Sequence, residues 1–198
     1  MIPNYDRAAR MAYKTILALH IESLPVDPLM ILSFCKSTVI RTYDEAAPFF
    51  GMYDPDHFRW YVADNKDAMT VRREYPDGST RYEMIYDRRG NPRRRRFTLA
   101  HELGHIVLKH KQEEQWEEKE ADYYASQLLA PRPVFDIIQK YDMNPSDPYL
   151  IAKTFGLSKA ASEIAVQSPR HNTEPELCRE IQDSFEPYIE TMSHFVTV

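Results

Sequence analysis

The stretch "RFTLAHELGHIVLKH", residues 96–110, carries His101 and His105 four positions apart, with Glu102 directly after the first histidine. On an α-helix, residues four apart share a face, so both imidazoles can point at one cation. Glu102 lies about 100° further round. From there it can reach a metal-bound water without ligating the metal itself. Leu99, Leu103, Ile106 and Val107 give the helix an apolar side to bury, and Gly104 leaves room beside the histidines. Upstream, Asn91-Pro92 supplies a capping side chain followed by a proline at the first helical position, where its missing N–H is harmless. The spacing therefore predicts a helix from Pro92 to about His110. With this chain's His and Glu content, a chance match to the pattern is expected about 0.02 times per chain.

These residue types in this order suit zinc hydrolysis. Zinc lowers the pKa of bound water towards neutrality, and an adjacent carboxylate can take the proton as that water attacks a carbonyl. Catalytic zinc usually holds three protein ligands, so two histidines leave one missing. A metzincin would need Gly at position 108 and His at 111, where this chain has Leu108 and Lys111. His110, five positions past His105, projects about 140° away if the helix continues. The remaining donors lie in "EEQWEEKEADYYASQLLAP", residues 113–131, which reads as a second helix over about 115–130. Ala121 and Ala125 would let this helix approach the first closely. Glu118, one turn earlier, is then placed to ligate, and Asp122 to hydrogen-bond the far nitrogen of a ligand histidine. Glu117 and Glu120 are the alternative ligands. Otherwise they join Glu114 in a solvated acidic face, as most charge runs do. No Gly or Pro marks the turn between Lys109 and Trp116.

The rest of the chain reads as α+β. Helices are expected over 7–23 and from Pro28 to about Lys36, with a short strand at 37–41. Residues 59–75 and 79–87 should form a hairpin about "PDGS", where Pro presets φ and Gly accepts positive φ. Short helices follow near 133–141, 145–153 and 158–166. The tail from 168 is weakly amphipathic and could dock as a helix or hang loose. The expected architecture is a small antiparallel sheet packed on a helical zincin-like core. A metallopeptidase domain would occupy residues 1–166, including a helix-turn-helix-like pair at 149–166. Residues 167–198 would form an appended C-terminal region.

Composition excludes several function classes. A hydrophobic fraction of 43% fits a packed protein, and a net charge of −5 does not advertise nucleic-acid binding. No apolar run is long enough to span a bilayer. The N-terminal stretch is too mixed for a signal peptide. Cys35 and Cys178 are far apart and in no C-x-x-C pairing, which argues against a disulfide scaffold or thiolate site and for a reducing cytoplasm.

The pairing of "RRRRFTLAHELGHIVLKH" (93–110) with "EKEADYYASQLLAP" (118–131) resembles the ImmA/IrrE family of metallopeptidases, which are gluzincin-like. Weaker echoes lie in "LPVDPLMILSFC" (24–35) and "IAKTFGLSKAASEIA" (151–165). The resemblance implies zinc ligation by His101, His105 and Glu118, with Glu102 as general base. It implies a cytoplasmic endopeptidase whose substrate is a helix-turn-helix repressor, acting in the regulation of mobile elements or a stress response. It departs at Ala165-Val166, where relatives often carry Arg-Leu. By analogy with gluzincin-like proteases, "STRYEMIYD" (79–87) is the expected edge strand that would bind the peptide by strand addition.

Three further features bear on function. Arg88, Arg89 and Arg93 to Arg96 form either a solvated run or a basic rim for an acidic substrate segment, and their place at a helix start calls for compensating acid. The pair at 149–165 lacks the basic recognition helix of a DNA reader, so direct DNA binding is not expected. Tyr86, Tyr123 and Arg96 are candidates to steady an oxyanion. His20, His57, His171 and His194 read as isolated surface or packing residues. The rival to the enzyme is a metal-bound module that sequesters a partner without hydrolysis, although such a module gains nothing from Glu102.

Overall fold

The computed structural model describes residues 2–62, 64, 66–111, 114–168 and 173–196; His171 lies outside them. In chain order the elements are α1 (Tyr5–Ala18), α2 (Pro28–Ser33), β1 (Thr38–Thr42), α3 (Tyr43–Ala46), a 3₁₀ turn (Ala47–Phe50), α4 (Pro55–Tyr61), β2 (Ala68–Glu74) and β3 (Thr80–Tyr86). Then come α5 (Pro92–Leu108), α6 (Gln115–Leu129), α7 (Arg132–Lys140), α8 (Pro148–Phe155), α9 (Lys159–Gln167) and α10 (Pro175–Val196). The fold class is α+β. The chain divides into two compact units, Asp27–Glu113 and a second made of Met1–Val26 with Glu114–Val198. No helix among the described residues is long and apolar enough to cross a membrane.

The Asp27–Glu113 unit is built on a three-stranded sheet of order β1-β3-β2. β2 and β3 form the expected antiparallel hairpin, Ala68 opposite Tyr86 and Glu74 opposite Thr80. The turn closes as anticipated: Tyr75 N donates to Ser79 O at 2.9 Å, and Gly78 sits at φ +80°, where a side chain would be strained. β1, however, pairs with β3 in parallel, Thr38 opposite Tyr82 and Thr42 opposite Tyr86, so the sheet is mixed rather than antiparallel. β3 is thus the central strand, and the edges are β1 and β2. The peptide-binding edge expected at 79–87 is therefore corrected, since the backbone groups of β3 are already paired on both sides.

The region 43–61 is more helical than the sequence suggested. Thr42 and Glu45 form a reciprocal capping box at the start of α3. Asp54 accepts from Asp56 N ahead of Pro55 and so starts α4. Arg59, Trp60 and Tyr61, expected in a strand, lie in that helix. The helices and the sheet close on a core of Tyr43, Ala46, Ala47, Phe58 and Ile85, with Met52, Val62 and Met69 packed against it. The Tyr43 and Phe58 rings meet edge to face at 5.3 Å. α5 packs on β2, β3 and α2. Its buried side is Leu99, Ala100, Leu103, Gly104, Ile106 and Leu108.

In the other unit, α1 packs on α6 and α10 packs on α7 and α1. α1 is shorter than expected: it ends at Ala18, and His20 takes φ 49°. Tyr13 Oη donates to Gln127 Oε1 at 2.7 Å between α1 and α6. α8 and α9 meet through Gly156 at φ 63°, the turn read from the sequence. The C-terminal stretch does dock: Leu177, Ile181, Phe185 and Ile189 recur on one face of α10 and are buried. Each such burial stabilises by roughly 1.5–3 kcal/mol.

Candidate metal centre

α5 is fixed at both ends. At its start the Asn91 carboxamide oxygen accepts from Arg93 N at 2.9 Å and Arg94 N at 3.4 Å. At its end Lys109 takes φ 57°, the left-handed region. Its amide donates to Ile106 O at 3.2 Å, and the His110 amide donates to His105 O at 3.0 Å. These two bonds are the Schellman pattern, which satisfies orphan carbonyls and stops the helix. Lys109 does here what Gly usually does, so no residue type marked this turn in the sequence.

Between these ends His101 and His105 face each other. Their Nε2 atoms are 3.0 Å apart, with ring centroids at 4.7 Å and planes at 65°. Two imidazole nitrogens bound tetrahedrally to one zinc, each at ~2.0–2.1 Å, would be roughly 3.3 Å apart. The pair therefore needs to open by only about 0.3 Å to share such an ion. Both rings are half-buried, as is Glu102, the next residue after His101. His101 Nε2 and His105 Nε2 are two donors that α5 by itself brings together, of a kind that could hold a metal ion.

His110 was expected to point away and does not. Because α5 ends at Leu108, the chain swings His110 back. Its Nδ1 lies 3.0 Å from His105 Nδ1, with ring centroids at 5.0 Å. It is 7% exposed. Helical projection missed it because the projection assumed a helix that had already ended.

On α6, Glu118 is half-buried and Asp122 is exposed. The solvated acidic face expected of Glu114, Glu117 and Glu120 is only partly present. Glu114 is exposed, but Glu117 and Glu120 are 5% and 2% exposed. The Glu120 carboxylate accepts from Asn4 N at 2.7 Å and Arg7 Nη1 at 3.2 Å, so it caps α1. That long-range partner is why an apparent surface acid is buried.

Three of the arginines around the start of α5, Arg88, Arg89 and Arg94, pair with acids. Arg88 pairs with Asp44 at 2.8 Å, Arg89 with Asp56 at 2.8 Å and Asp87 at 3.3 Å, and Arg94 with Asp67. Asp87 is also held by Arg59 at 2.6 Å. This is the compensating charge that the helix dipole calls for. Of the oxyanion candidates, Tyr86 lies on the central strand β3. Burial pushes the Tyr123 hydroxyl up to about 12, and its ring meets Tyr5 edge to face at 5.1 Å. Burial also lowers the Arg96 guanidinium from its ordinary value.

Residues 61–166, more than half of the chain, match the peptidase M78 family, the IrrE N-terminal-like domain. The chain belongs to this family. The match spans β2 to α9, and so takes in the two histidines of α5, Glu102 and the carboxylates of α6. It indicates a peptidase-like domain of metallopeptidase type, for which a bound metal ion is implied. The mutually facing Nε2 atoms of α5 are donors of the kind such an ion takes. Among curated proteins, none matches the chain.

Proposed function

We propose that this protein is a zinc-dependent endopeptidase that hydrolyses a peptide bond in a cytosolic protein. The observation that carries this reading is the 3.0 Å approach of His101 Nε2 to His105 Nε2 on a helix that also bears Glu102. The ligands are His101, His105 and Glu118. Bound there, zinc supplies a Lewis acid that makes water a nucleophile at neutral pH. Glu102 takes the proton from that water and passes it to the leaving amine. Asp122 is our candidate to hydrogen-bond the far nitrogen of a ligand histidine. Tyr86, Tyr123 and Arg96 are the candidates to steady the oxyanion.

We assign the metallopeptidase domain to residues 1–166, with α10 packed on α1 and α7 of that stretch. The substrate we favour is a helix-turn-helix repressor, which would make the protein an anti-repressor in the cytoplasm. That choice is supported by the family alone. The experiment incubates wild type and Glu102→Gln with the regulator encoded beside the gene, with zinc and with chelator. Zinc-dependent cleavage by wild type and none by the variant is expected. An intact regulator held in a stable complex by both proteins would instead mean a sequestering module.

A further inference from the structure

We propose that the protein pairs with a second copy of itself through an exposed aromatic patch on the 3₁₀ turn and α4. The patch is Phe49, Phe50, Tyr53, Trp60 and Tyr61. None of them belongs to α5, so the dimer stands or falls independently of the peptidase reading.

Large aromatic side chains usually go to the core, yet of the Phe, Trp and Tyr residues in 49–61 only Phe58 is buried. Tyr53 is 88% exposed, Tyr61 78%, Trp60 73%, Phe49 71% and Phe50 40%. On α4, Phe58 faces the core, and Trp60, two positions on, lies about 160° away on the outer side. Tyr61 shares a side with His57, one turn earlier, and their rings meet edge to face at 5.7 Å. A large aromatic side chain carries roughly 150–250 Å², so at these exposures the five offer roughly 700 Å². A stable interface takes about 800 Å² from each partner. Exposed apolar surface on that scale marks an interaction site.

The rings are held from beneath. The Arg41 guanidinium lies 4.5 Å from the centre of the Phe49 ring, and Phe50 meets Phe58 edge to face at 5.1 Å. Side chains already held in place lose little freedom when a partner docks. The charges of this segment are also occupied within the chain. Asp56 pairs with Arg89 at 2.8 Å, Arg59 with Asp87 at 2.6 Å, and the Asp54 carboxylate accepts from Asp56 N at 2.9 Å. Such a surface has little to draw a nucleic acid, an anionic membrane or a charged peptide. It suits a copy of itself. A two-fold axis sets each patch against the same patch, where unmatched charge would repel its own image.

Sedimentation equilibrium on the full chain tests the pairing. Interfaces of this size have dissociation constants from micromolar to picomolar, so at about 50 μM wild type should sediment at twice the chain mass. Trp60→Ala should weaken the dimer at least about 30-fold, as loss of a central aromatic anchor does. Trp60→Asp, which sets like charges across the axis, should be monomeric. Both replace an exposed side chain, so helix content by circular dichroism should not change. Tyr149→Ala removes an exposed aromatic from α8, in the other unit, and should dimerise like wild type. In Trp116→Phe, Trp60 is the only tryptophan, and its emission should move to shorter wavelength as concentration rises through the range of dimerisation. Wild type that stays monomeric at about 50 μM would overturn the proposal and leave the patch to a different protein. A dimer that survives Trp60→Asp would overturn it too.

Discussion

Glu102 is the residue at which metal binding and chemistry separate. Glu102→Gln removes the proton acceptor but no ligand, so zinc should be retained while cleavage falls by about 10²–10⁴-fold, as loss of general base catalysis does. His101→Ala and His105→Ala should lose the metal itself. Zinc content and initial cleavage rate, measured side by side on the three variants, check this. The facing of His101 and His105 was legible in the sequence because a four-residue spacing fixes a shared helical face wherever the helix goes. His110 was not, because its position depends on φ at Lys109, and Lys carries no signal for a left-handed turn. Glu120 was misread for a different reason. Its partners Asn4 and Arg7 lie more than a hundred positions away, and only the packing of α1 on α6 brings them together.

Among the elements, α5 was read nearly to the residue, since Asn91-Pro92 announces its start and the apolar spacing carries it through. Its end was placed about two residues late. A left-handed non-glycine residue costs roughly 1–2 kcal/mol. Lys109→Gly should therefore stabilise the protein by about 1 kcal/mol, seen as a higher urea midpoint with unchanged slope, and should leave zinc affinity intact. A destabilised variant would mean that the lysine side chain itself holds the turn. α3 and α4 escaped the sequence reading because four- and seven-residue helices are too short to show a period. Their signals were the caps, Thr42 with Glu45 and Asp54 before Pro55. The parallel pairing of β1 with β3 was equally hidden, since it joins residues some forty positions apart and each strand alone is silent about its neighbour.

For the whole molecule, the α+β class was legible from the alternation of helical and strand-like stretches. The division into units was not, because the first 26 residues join a unit otherwise made from Glu114 onwards. α10 shows how far the C-terminal region is part of that unit. Phe185 is fully buried on it, so Phe185→Ala should lose about 3–5 kcal/mol in urea unfolding. A loss near zero would mean that α10 is a detachable tail. The central claim concerns His101, His105 and Glu118 jointly, and zinc content tests it most directly. After loading with zinc and exhaustive desalting, elemental analysis should find wild type holding equimolar metal, with His101→Ala, His105→Ala and Glu118→Ala each far below it. Wild type emerging without metal, or all three variants retaining as much as wild type, would contradict the account.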